Sequence, residues 1–254
     1  MSGWEYRMGR IFQSDGRTVI LPVDHGVTLG HVVGLQDPAS TVENLLMSSP
    51  DAILLNRGLA RVAGKSLNHL RAPARILNVD NVFLNDDSLV HESIASIQAA
   101  VVEGYDAVKT LLPWDGTIRE RMDSCRLVSE LIDESRQWQI PIIVEPTFLR
   151  ESHPVGKSLS DCVRVAFELG ADILKIPYPG SLEVLGQWVE SFKVPLVLLG
   201  GPDAGSDEAV LHFVKQSMSI GVKGVAIGRK VWQRPMPEAR DFMRELVSVV
   251  HGNL

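Results

Sequence analysis

The sequence predicts an α/β protein of the (β/α)8 TIM-barrel class, on three observations. Its length of 254 residues matches the roughly 250 residues typical of this barrel. Short apolar runs rich in β-branched residues alternate along the chain with longer amphipathic segments, as in consecutive βα units. Eight such units can be counted, which favours a closed barrel over an open sheet. No linker divides the chain, so residues 1–254 are expected to form a single domain.

The predicted strands are near-continuous apolar runs, which suit a parallel sheet that is covered by helices on both faces. They span residues 18–23, 51–56, 75–80, 106–111, 140–145, 172–176, 195–199 and 223–227.

The clearest predicted helices span residues 88–103 and 117–138. In the first, apolar residues recur at spacings of three to five, as one buried helix face requires. Glycines favour the left-handed cap that ends a helix, and Gly104, Gly170 and Gly221 each precede a predicted strand. Ser206 and Pro237 are typical of helix starts.

Composition excludes several classes of partner. A net charge of −6 argues against nucleic acid and against an anionic membrane surface. The longest apolar runs, such as 194–199, are too short to span a bilayer, and the first residues lack a signal-peptide pattern. Cys125 and Cys162 are the only cysteines, which favours a reduced, cytoplasmic compartment. Of the seven histidines, only His25 follows a predicted strand directly, so no metal site is expected.

Polar residues follow most of the predicted strands, where the active sites of such barrels lie. They are Asp24, His25, Asn56, Arg57, Asp80, Asn81, Lys109, Glu145, Lys175, Gly200, Gly201, Gly228 and Arg229.

Two glycine-containing turns follow the seventh and eighth predicted strands, where barrels commonly bind phosphate. Gly200 and Gly201 form the first turn, and Gly228 with Arg229 forms the second. Glycine lets the backbone N–H groups approach an anion, and arginine adds a fork-shaped cationic clamp. The alternative is that these glycines only make tight turns. Their presence at both expected strands favours phosphate.

Lys175 lies within the apolar run Ala171-Asp-Ile-Leu-Lys-Ile176. Burial disfavours its charged form and leaves an amine that can attack a carbonyl carbon. Lys109, two strands away, would be a second cation that lowers the pKa of Lys175 further. The alternative is a strand-end lysine whose ammonium reaches water.

The other polar candidates each have a structural alternative. Asp24 would assist proton transfer or cap the loop that begins at His25. His25 would orient Asp24 or act as an ordinary hydrogen-bonding residue. Asp80 is as consistent with a turn as with catalysis.

Four fragments in order resemble the archaeal-type class I fructose-bisphosphate aldolase family, which also includes aminodideoxyheptulosonate synthases and the phosphorylated autoinducer-2 thiolase. The fragments are Val23-Asp-His-Gly26 with Gly34-Leu35, Ala171-Asp-Ile-Leu-Lys175, Gly200-Gly-Pro202, and Gly224-Val-Ala-Ile-Gly-Arg229 with Val231-Trp-Gln233. The resemblance spans nearly the whole chain.

The resemblance implies a Schiff-base lysine at Lys175, a catalytic aspartate at Asp24 and phosphate bound at the two glycine turns. The chain departs from the family at the fifth predicted strand, which reads Ile143-Val-Glu-Pro-Thr147. Thr147 stands where the aldolases have a tyrosine proton donor, and Glu145 or a bound water would replace it. Arg57 adds a cation expected near the barrel mouth.

The leading hypothesis is a cofactor-independent class I aldolase or transaldolase-like lyase. Its substrate would be a ketose phosphate or dihydroxyacetone phosphate, and the resemblance implies a homo-oligomer. A second hypothesis keeps the barrel but changes the reaction to acyl transfer or isomerisation, since the tyrosine is missing. A third is a non-catalytic phosphate-binding protein, which would form no adduct that borohydride can trap.

Overall fold

The computed structural model describes residues 1–85, 88–150, 155–200 and 205–252. Within these ranges the strands are β1 (Thr18–Pro22), β2 (Ala52–Leu55), β3 (Ala74–Asn78), β4 (Asp80–Leu84), β5 (Leu89–Ser93), β6 (Ala107–Pro113), β7 (Ile142–Thr147), β8 (Ile173–Ile176), β9 (Leu196–Leu199) and β10 (Gly224–Ala226). All but β4 and β5 pair in parallel and close a barrel in which β10 returns to β1. The predicted (β/α)8 class and all eight predicted strands are confirmed.

The helices of the same ranges are α1 (Gly3–Ile11), α2 (Gly26–Leu29), α3 (Pro38–Leu46), α4 (Arg57–Val62), α5 (Gly64–Leu67), α6 (Ile97–Val102), α7 (Ile118–Gln137), α8 (Gly156–Leu169), α9 (Leu182–Phe192), α10 (Asp207–Ser219), α11 (Arg229–Trp232) and α12 (Met236–Val250). None of these helices combines the length and the apolar character that crossing a bilayer requires.

Local sequence signals explain several of these boundaries. The predicted helix 117–138 is α7, whose first turn is closed by reciprocal hydrogen bonds between Thr117 and Glu120. Ser206 caps α10, as predicted. Gly104, Gly170 and Gly221 have φ of 78°, 103° and 102°, the left-handed geometry expected of them.

The predicted helix 88–103 is wrong in its first half. Residues Leu89–Ser93 form β5, which pairs antiparallel with β4, and only Ile97–Val102 is helical. The spacing of five between Leu89 and Ile94 does not place both side chains on one helix face. Asn85 donates its N–H to the carbonyl of Ser88 at 3.0 Å, and cross-strand pairing then satisfies the backbone. The resulting hairpin extends from the carboxyl end of β3.

The amino-terminal end of the barrel is closed by α1. Ile11 is fully buried against the apolar side chains that fill the barrel interior, and Met8 and Phe12 pack on the same cluster. Apolar packing fills this end of the barrel, and the polar interior residues lie towards the carboxyl ends of the strands.

Candidate active site

The candidate site is the next layer of the barrel interior above the apolar filling. Side chains two residues apart on a strand point to the same face. Four polar residues each follow an interior apolar residue by two positions, namely Asn78 after Ile76, Lys109 after Ala107, Glu145 after Ile143, and Lys175 after Ile173. Strand alternation therefore turns these polar side chains inward, although most residues of these strands are apolar.

Two lysines and two carboxylates meet in this layer. Nζ of Lys175 lies 2.8 Å from Oε2 of Glu145. Nζ of Lys109 lies 3.3 Å from the same oxygen and 3.4 Å from Oδ2 of Asp24. The side chains of Lys175 and Lys109 are only 7% and 4% exposed. The structure thus brings together all four residues that the sequence suggested for catalysis, although β6, β7 and β8 and the end of β1 supply them separately.

The two cations control the charge of Glu145. Burial alone would raise the pKa of this carboxyl, but the ammonium groups of Lys175 and Lys109 outweigh burial and hold the pKa at about 2. Glu145 is therefore ionised at neutral pH.

Lys109 stays protonated, contrary to the behaviour of an isolated buried lysine. Burial lowers its pKa, but Glu145, Asp24 and Asp80 together raise the pKa above the ordinary lysine value. Lys109 is thus a fixed positive charge between the two carboxylates of the site.

His25 borders this cluster at the start of α2. Its Nδ1 lies 3.5 Å from Oδ1 of Asp24, and its ring meets the Trp232 ring edge-on at 5.2 Å. Burial lowers the pKa of His25 in spite of the nearby Asp24 carboxylate. At neutral pH the imidazole is therefore uncharged and can donate or accept a hydrogen bond.

Close packing around Trp232 connects two of the sequence fragments, the first and the fourth. The indole Nε1 donates to the carbonyl of Pro22 at 3.0 Å. A Cβ on Gly34, whose φ is 89°, would overlap the carbonyl of Trp232, and one on Gly228 would lie 2.7 Å from the carbonyl of Pro22. These glycines are needed because the loop that contains Gly34 and the end of β1 both approach α11 without room for a side chain.

The chain also matches a known protein family. Residues 18–234 match the model of the DeoC/LacD family aldolases. The chain belongs to the DeoC/LacD aldolase family. The predictions of this fold, of an aldolase family and of a carbon–carbon lyase are confirmed.

Individual relatives agree with this assignment. The chain is 30% identical over 255 residues to 2-amino-3,7-dideoxy-D-threo-hept-6-ulosonate synthase 1 of Archaeoglobus fulgidus, covering 100% of this chain and 93% of the relative. It is 29% identical over 254 residues to fructose-bisphosphate aldolase class 1 of Thermoproteus tenax, covering 96% and 93%. A solved archaeal fructose-1,6-bisphosphate aldolase, whose catalytic lysine carries a carbinolamine intermediate, is similar with a TM-score of 0.82 and 25% identity, covering 99% of this chain and 100% of that one.

In this aldolase-family chain the two glycine turns differ in their surroundings. Gly200 has φ 68° and faces open space, while its N–H donates to the carbonyl of Ala226 at 3.2 Å. Gly201 lies outside the described residues. Gly228 serves the packing around Trp232, and Arg229 beside it is exposed at the start of α11. Of the phosphate candidates, Arg229 has the exposed cationic side chain.

Arg57 lies apart from the lysine–carboxylate cluster. Its Nε lies 3.2 Å from Oε1 of Glu103, and its side chain lines a surface cavity of about 440 Å³ between the hairpin and α7. Because Arg57 follows a strand, it was predicted to lie near the barrel mouth. In the structure its side chain pairs with the carboxylate of Glu103 at the end of α6.

Thr147 does not take the place of the family tyrosine. Its hydroxyl donates to the carbonyl of Glu145 at 2.8 Å, so this donor is used by the local backbone. Glu145, by contrast, places its carboxylate on both lysines. The departure at this strand is therefore accompanied by a carboxylate that contacts both lysines of the cluster.

Asn56 and Asn78 contact the cluster, although the sequence did not single them out for a role. Asn78 accepts a hydrogen bond from Lys109 at 3.2 Å, and Asn56 donates to the carbonyl of Asp24 at 2.7 Å. The sequence signal that could have identified Asn78 was the presence of an asparagine in the mostly apolar third strand.

Asp80 is fully buried and holds the hairpin on the barrel. Its Oδ2 accepts from Thr110 at 2.6 Å and from the N–H of Leu111 at 2.7 Å, and lies 2.7 Å from Nε2 of His91. Because these contacts join β4, β5 and β6, the structure favours an anchoring role for Asp80.

Proposed function

We propose that this chain is a class I aldolase, or a transaldolase-like lyase, that holds a phosphorylated keto substrate as a Schiff base on Lys175. Dihydroxyacetone phosphate and ketose phosphates are the substrate class. The observation that carries this proposal is the 2.8 Å contact between Nζ of Lys175 and Oε2 of Glu145 in a buried layer of the barrel. A carboxylate at this distance can accept the proton that the lysine must lose before it attacks a carbonyl.

The first half of the reaction forms the covalent adduct. Transfer of a proton from Lys175 to Glu145 leaves a neutral amine, which attacks the ketone carbon and forms a C–N bond. The carbonyl oxygen takes up a proton and the attacking nitrogen loses one, which gives a neutral carbinolamine. A second proton on that oxygen lets it leave as water. Glu145 and Asp24 are the groups proposed to carry these protons, and the product is an iminium ion on Lys175.

The second half breaks or forms the carbon–carbon bond. A carboxylate removes the proton of the aldol hydroxyl, and the adjacent carbon–carbon bond breaks with its electron pair moving to the iminium nitrogen. An aldehyde leaves, and an enamine remains on Lys175. Protonation of the enamine carbon and hydrolysis by water release the ketone and restore the amine. The reverse sequence forms the bond.

Lys109 supports this chemistry as a permanent cation. It lies within 3.4 Å of both Asp24 and Glu145, so it holds the two carboxylates on one cation. Its raised pKa makes it a poor nucleophile at neutral pH, because only the unprotonated amine attacks a carbonyl.

The phosphate of the substrate is proposed to bind at Arg229 and the glycine turns formed by Gly200, Gly201 and Gly228, with His25 contacting the substrate beside them. Arginine is suited to phosphate because its N–H groups form a fork. The Thermoproteus tenax relative is named a fructose-bisphosphate aldolase, which supports a phosphorylated substrate.

The electrophile of this mechanism is the lysine adduct itself, so the proposal needs no metal or organic cofactor. The free thiols of Cys125 and Cys162 support a cytoplasmic location. A homo-oligomer, implied by the family resemblance, is part of the proposal.

Reductive trapping tests the proposal. Borohydride added with dihydroxyacetone phosphate or a ketose phosphate should fix one ligand per chain, seen as an increase in intact mass, and peptide mapping should place it on Lys175. An adduct on Lys109 with Lys175 unmodified would overturn the assignment. Ligand binding without any trapped adduct would favour a non-catalytic phosphate-binding protein, and dependence on coenzyme A would favour acyl transfer.

A further inference from the structure

Asn78 is a buried polar residue for which the proposed reaction gives no role. It is the last residue of β3 and is 3% exposed. Its Oδ1 accepts from Nζ of Lys109 at 3.2 Å, and its Nδ2 donates to the carbonyl of Asp80 at 2.8 Å and to Oδ1 of Asn56 at 3.3 Å. Both ends of the amide are therefore occupied, and one of them is occupied by a residue of the cluster.

The orientation of this amide follows from the chemistry of its partners. An ammonium group has only donors and a backbone carbonyl only accepts, so Oδ1 of Asn78 must face Lys109 and Nδ2 must face Asp80. The side-chain amide of Asn56 is oriented in the same sense, because its Nδ2 donates to the carbonyl of Asp24 at 2.7 Å. The two amides thus form a head-to-tail chain from the backbone of Asp24 to the ammonium of Lys109.

Lys109 has three N–H donors, and three side-chain oxygens surround it. Oδ1 of Asn78 is at 3.2 Å, Oε2 of Glu145 at 3.3 Å and Oδ2 of Asp24 at 3.4 Å. Asn78 is the neutral member of the three, so it restrains the ammonium without adding another negative charge. This matters because lysine has a flexible stem that would otherwise let the ammonium approach either carboxylate alone.

We propose that Asn78 is a positioning residue for the reaction at Lys175. Its amide oxygen holds the Lys109 ammonium between Asp24 and Glu145, and so fixes the geometry in which these carboxylates carry protons. The inference rests on the proposed function, since it assigns Asn78 to the same site. It predicts that losing the amide impairs proton transfer more than it impairs adduct formation.

The reaction to measure is exchange of a carbon-bound proton of dihydroxyacetone phosphate with solvent deuterium. Exchange requires the Schiff base, removal of a proton from the hydroxymethyl carbon to give the enamine, and return of a deuteron to that carbon. It therefore reports the proton carriers without any aldehyde partner. NMR gives its rate at saturating ligand across the pH range, and borohydride trapping of the same samples gives the yield of adduct.

Asn78→Leu is the test variant, because leucine has nearly the same volume and no hydrogen-bonding group. Asn81→Leu is the matched control. Asn81 is the other buried asparagine of the described residues. Its hydrogen-bond partners differ from those of Asn78, because it accepts from Thr28 at 2.6 Å and donates to the carbonyl of Val27 at 3.0 Å. Both variants lose a buried amide, so both should have a lower Tm. Asn78→Ser, whose hydroxyl is too short to reach Lys109, serves as a second test if leucine prevents folding.

We expect the Asn78 variants to lose about 10-fold to 100-fold in exchange rate, with the yield of trapped adduct on Lys175 within about twofold of the wild type. The acidic limb of the rate against pH should move to higher pH, because a less constrained ammonium stabilises the ionised form of Glu145 less. Asn81→Leu should keep the wild-type pH profile.

The outcomes separate the two proposals. Failure of the wild type to form any adduct would overturn the proposed function, and the role of Asn78 with it. A wild type that is trapped on Lys175, together with Asn78 variants whose rate and pH profile match those of Asn81→Leu, would overturn the positioning role alone.

Discussion

Oε2 of Glu145 lies 2.8 Å from Nζ of Lys175, on the neighbouring strand of the barrel. The same oxygen lies 3.3 Å from Nζ of Lys109. One carboxylate oxygen is thus shared by two ammonium groups, one proposed to react and one that stays charged. Proton movement at Lys175 is therefore coupled to a carboxyl group whose pKa is lowered by both ammonium groups.

Glu145→Gln should separate adduct formation from turnover. Glutamine keeps the shape of the side chain but cannot accept and return a proton, so we expect turnover to fall about 100-fold or more. Borohydride should still trap a ligand on Lys175. Steady-state rates and intact mass of the same preparation measure the two effects. Full turnover with unchanged trapping would show that Glu145 only neutralises the lysines or caps the following loop, and that another group is the proton donor.

Lys109 should matter more for stability, and Lys175 should matter more for chemistry. Replacing each lysine by methionine tests this difference. Lys109→Met leaves Asp24 and Glu145 buried with only one cation nearby, which should cost about 3–5 kcal/mol of unfolding free energy. Lys175→Met leaves Glu145 paired with Lys109 and should cost clearly less. Urea unfolding measures both values.

Borohydride trapping of the same two variants measures whether each can still form the covalent adduct. Lys175→Met should form no adduct, whereas folded Lys109→Met should still form one. Loss of the adduct in both, with full stability in both, would contradict the separate roles given to the two lysines.

The site could be predicted from the sequence where a charge interrupts an apolar strand. Lys175, Lys109 and Glu145 were recognisable because burying an ionised group is costly without partners. Asn78 was not, because a neutral amide in a strand carries no comparable cost and its partner Lys109 is on another strand. The alternation of side chains along β3, with Asn78 two residues after Ile76, is the signal that identifies it as an interior residue.

Other features depended on contacts that no local pattern contains. Arg57 follows its strand as a residue of the barrel mouth would, but Glu103 at the end of α6 draws its side chain away. The hairpin was hidden because Ile94, Ile97 and Val101 recur at helical spacings, although Leu89 lies five residues before Ile94. Pairing with β4 and the buried contact between Asp80 and His91 decide the strand instead. Both features depend on tertiary contacts, which outweigh local propensity.

Arg229→Ala should weaken the binding of phosphorylated ligands specifically. A lost hydrogen bond to a charged group costs roughly 1.5–3 kcal/mol, so we expect a loss of about 10-fold to 100-fold in affinity for dihydroxyacetone phosphate. Binding of unphosphorylated dihydroxyacetone should change little. Titration calorimetry or the concentration dependence of borohydride trapping measures both ligands. Equal losses for the two would mean that Arg229 supports the turn and does not bind phosphate.

His251 should make the stability of the protein depend on pH. It follows α12, and its Nδ1 lies 2.7 Å from Oδ2 of Asp15 while its Nε2 lies 2.9 Å from Oδ2 of Asp51. Both ring nitrogens thus face carboxylates, an arrangement that favours the doubly protonated ring. The hydrogen bond to Asp51 raises the pKa, burial opposes this, and Asp15 adds to the rise, giving a pKa of about 9.

The folded-state pKa of His251 is above the value of about 6.5 expected in the unfolded chain. Its contribution to stability is therefore complete below about pH 6.5 and is lost as pH rises through about 9. We expect the Tm of the wild type to fall between these pH values by a few degrees more than that of His251→Gln, which has no titrating ring. Arg17 also ties this end of the chain, through a 2.6 Å hydrogen bond to the carbonyl of Val250 that is independent of pH in this range, so α12 should stay attached in the variant. Parallel Tm curves for the two proteins would show that the contacts with Asp15 and Asp51 add no stability through the charge of His251.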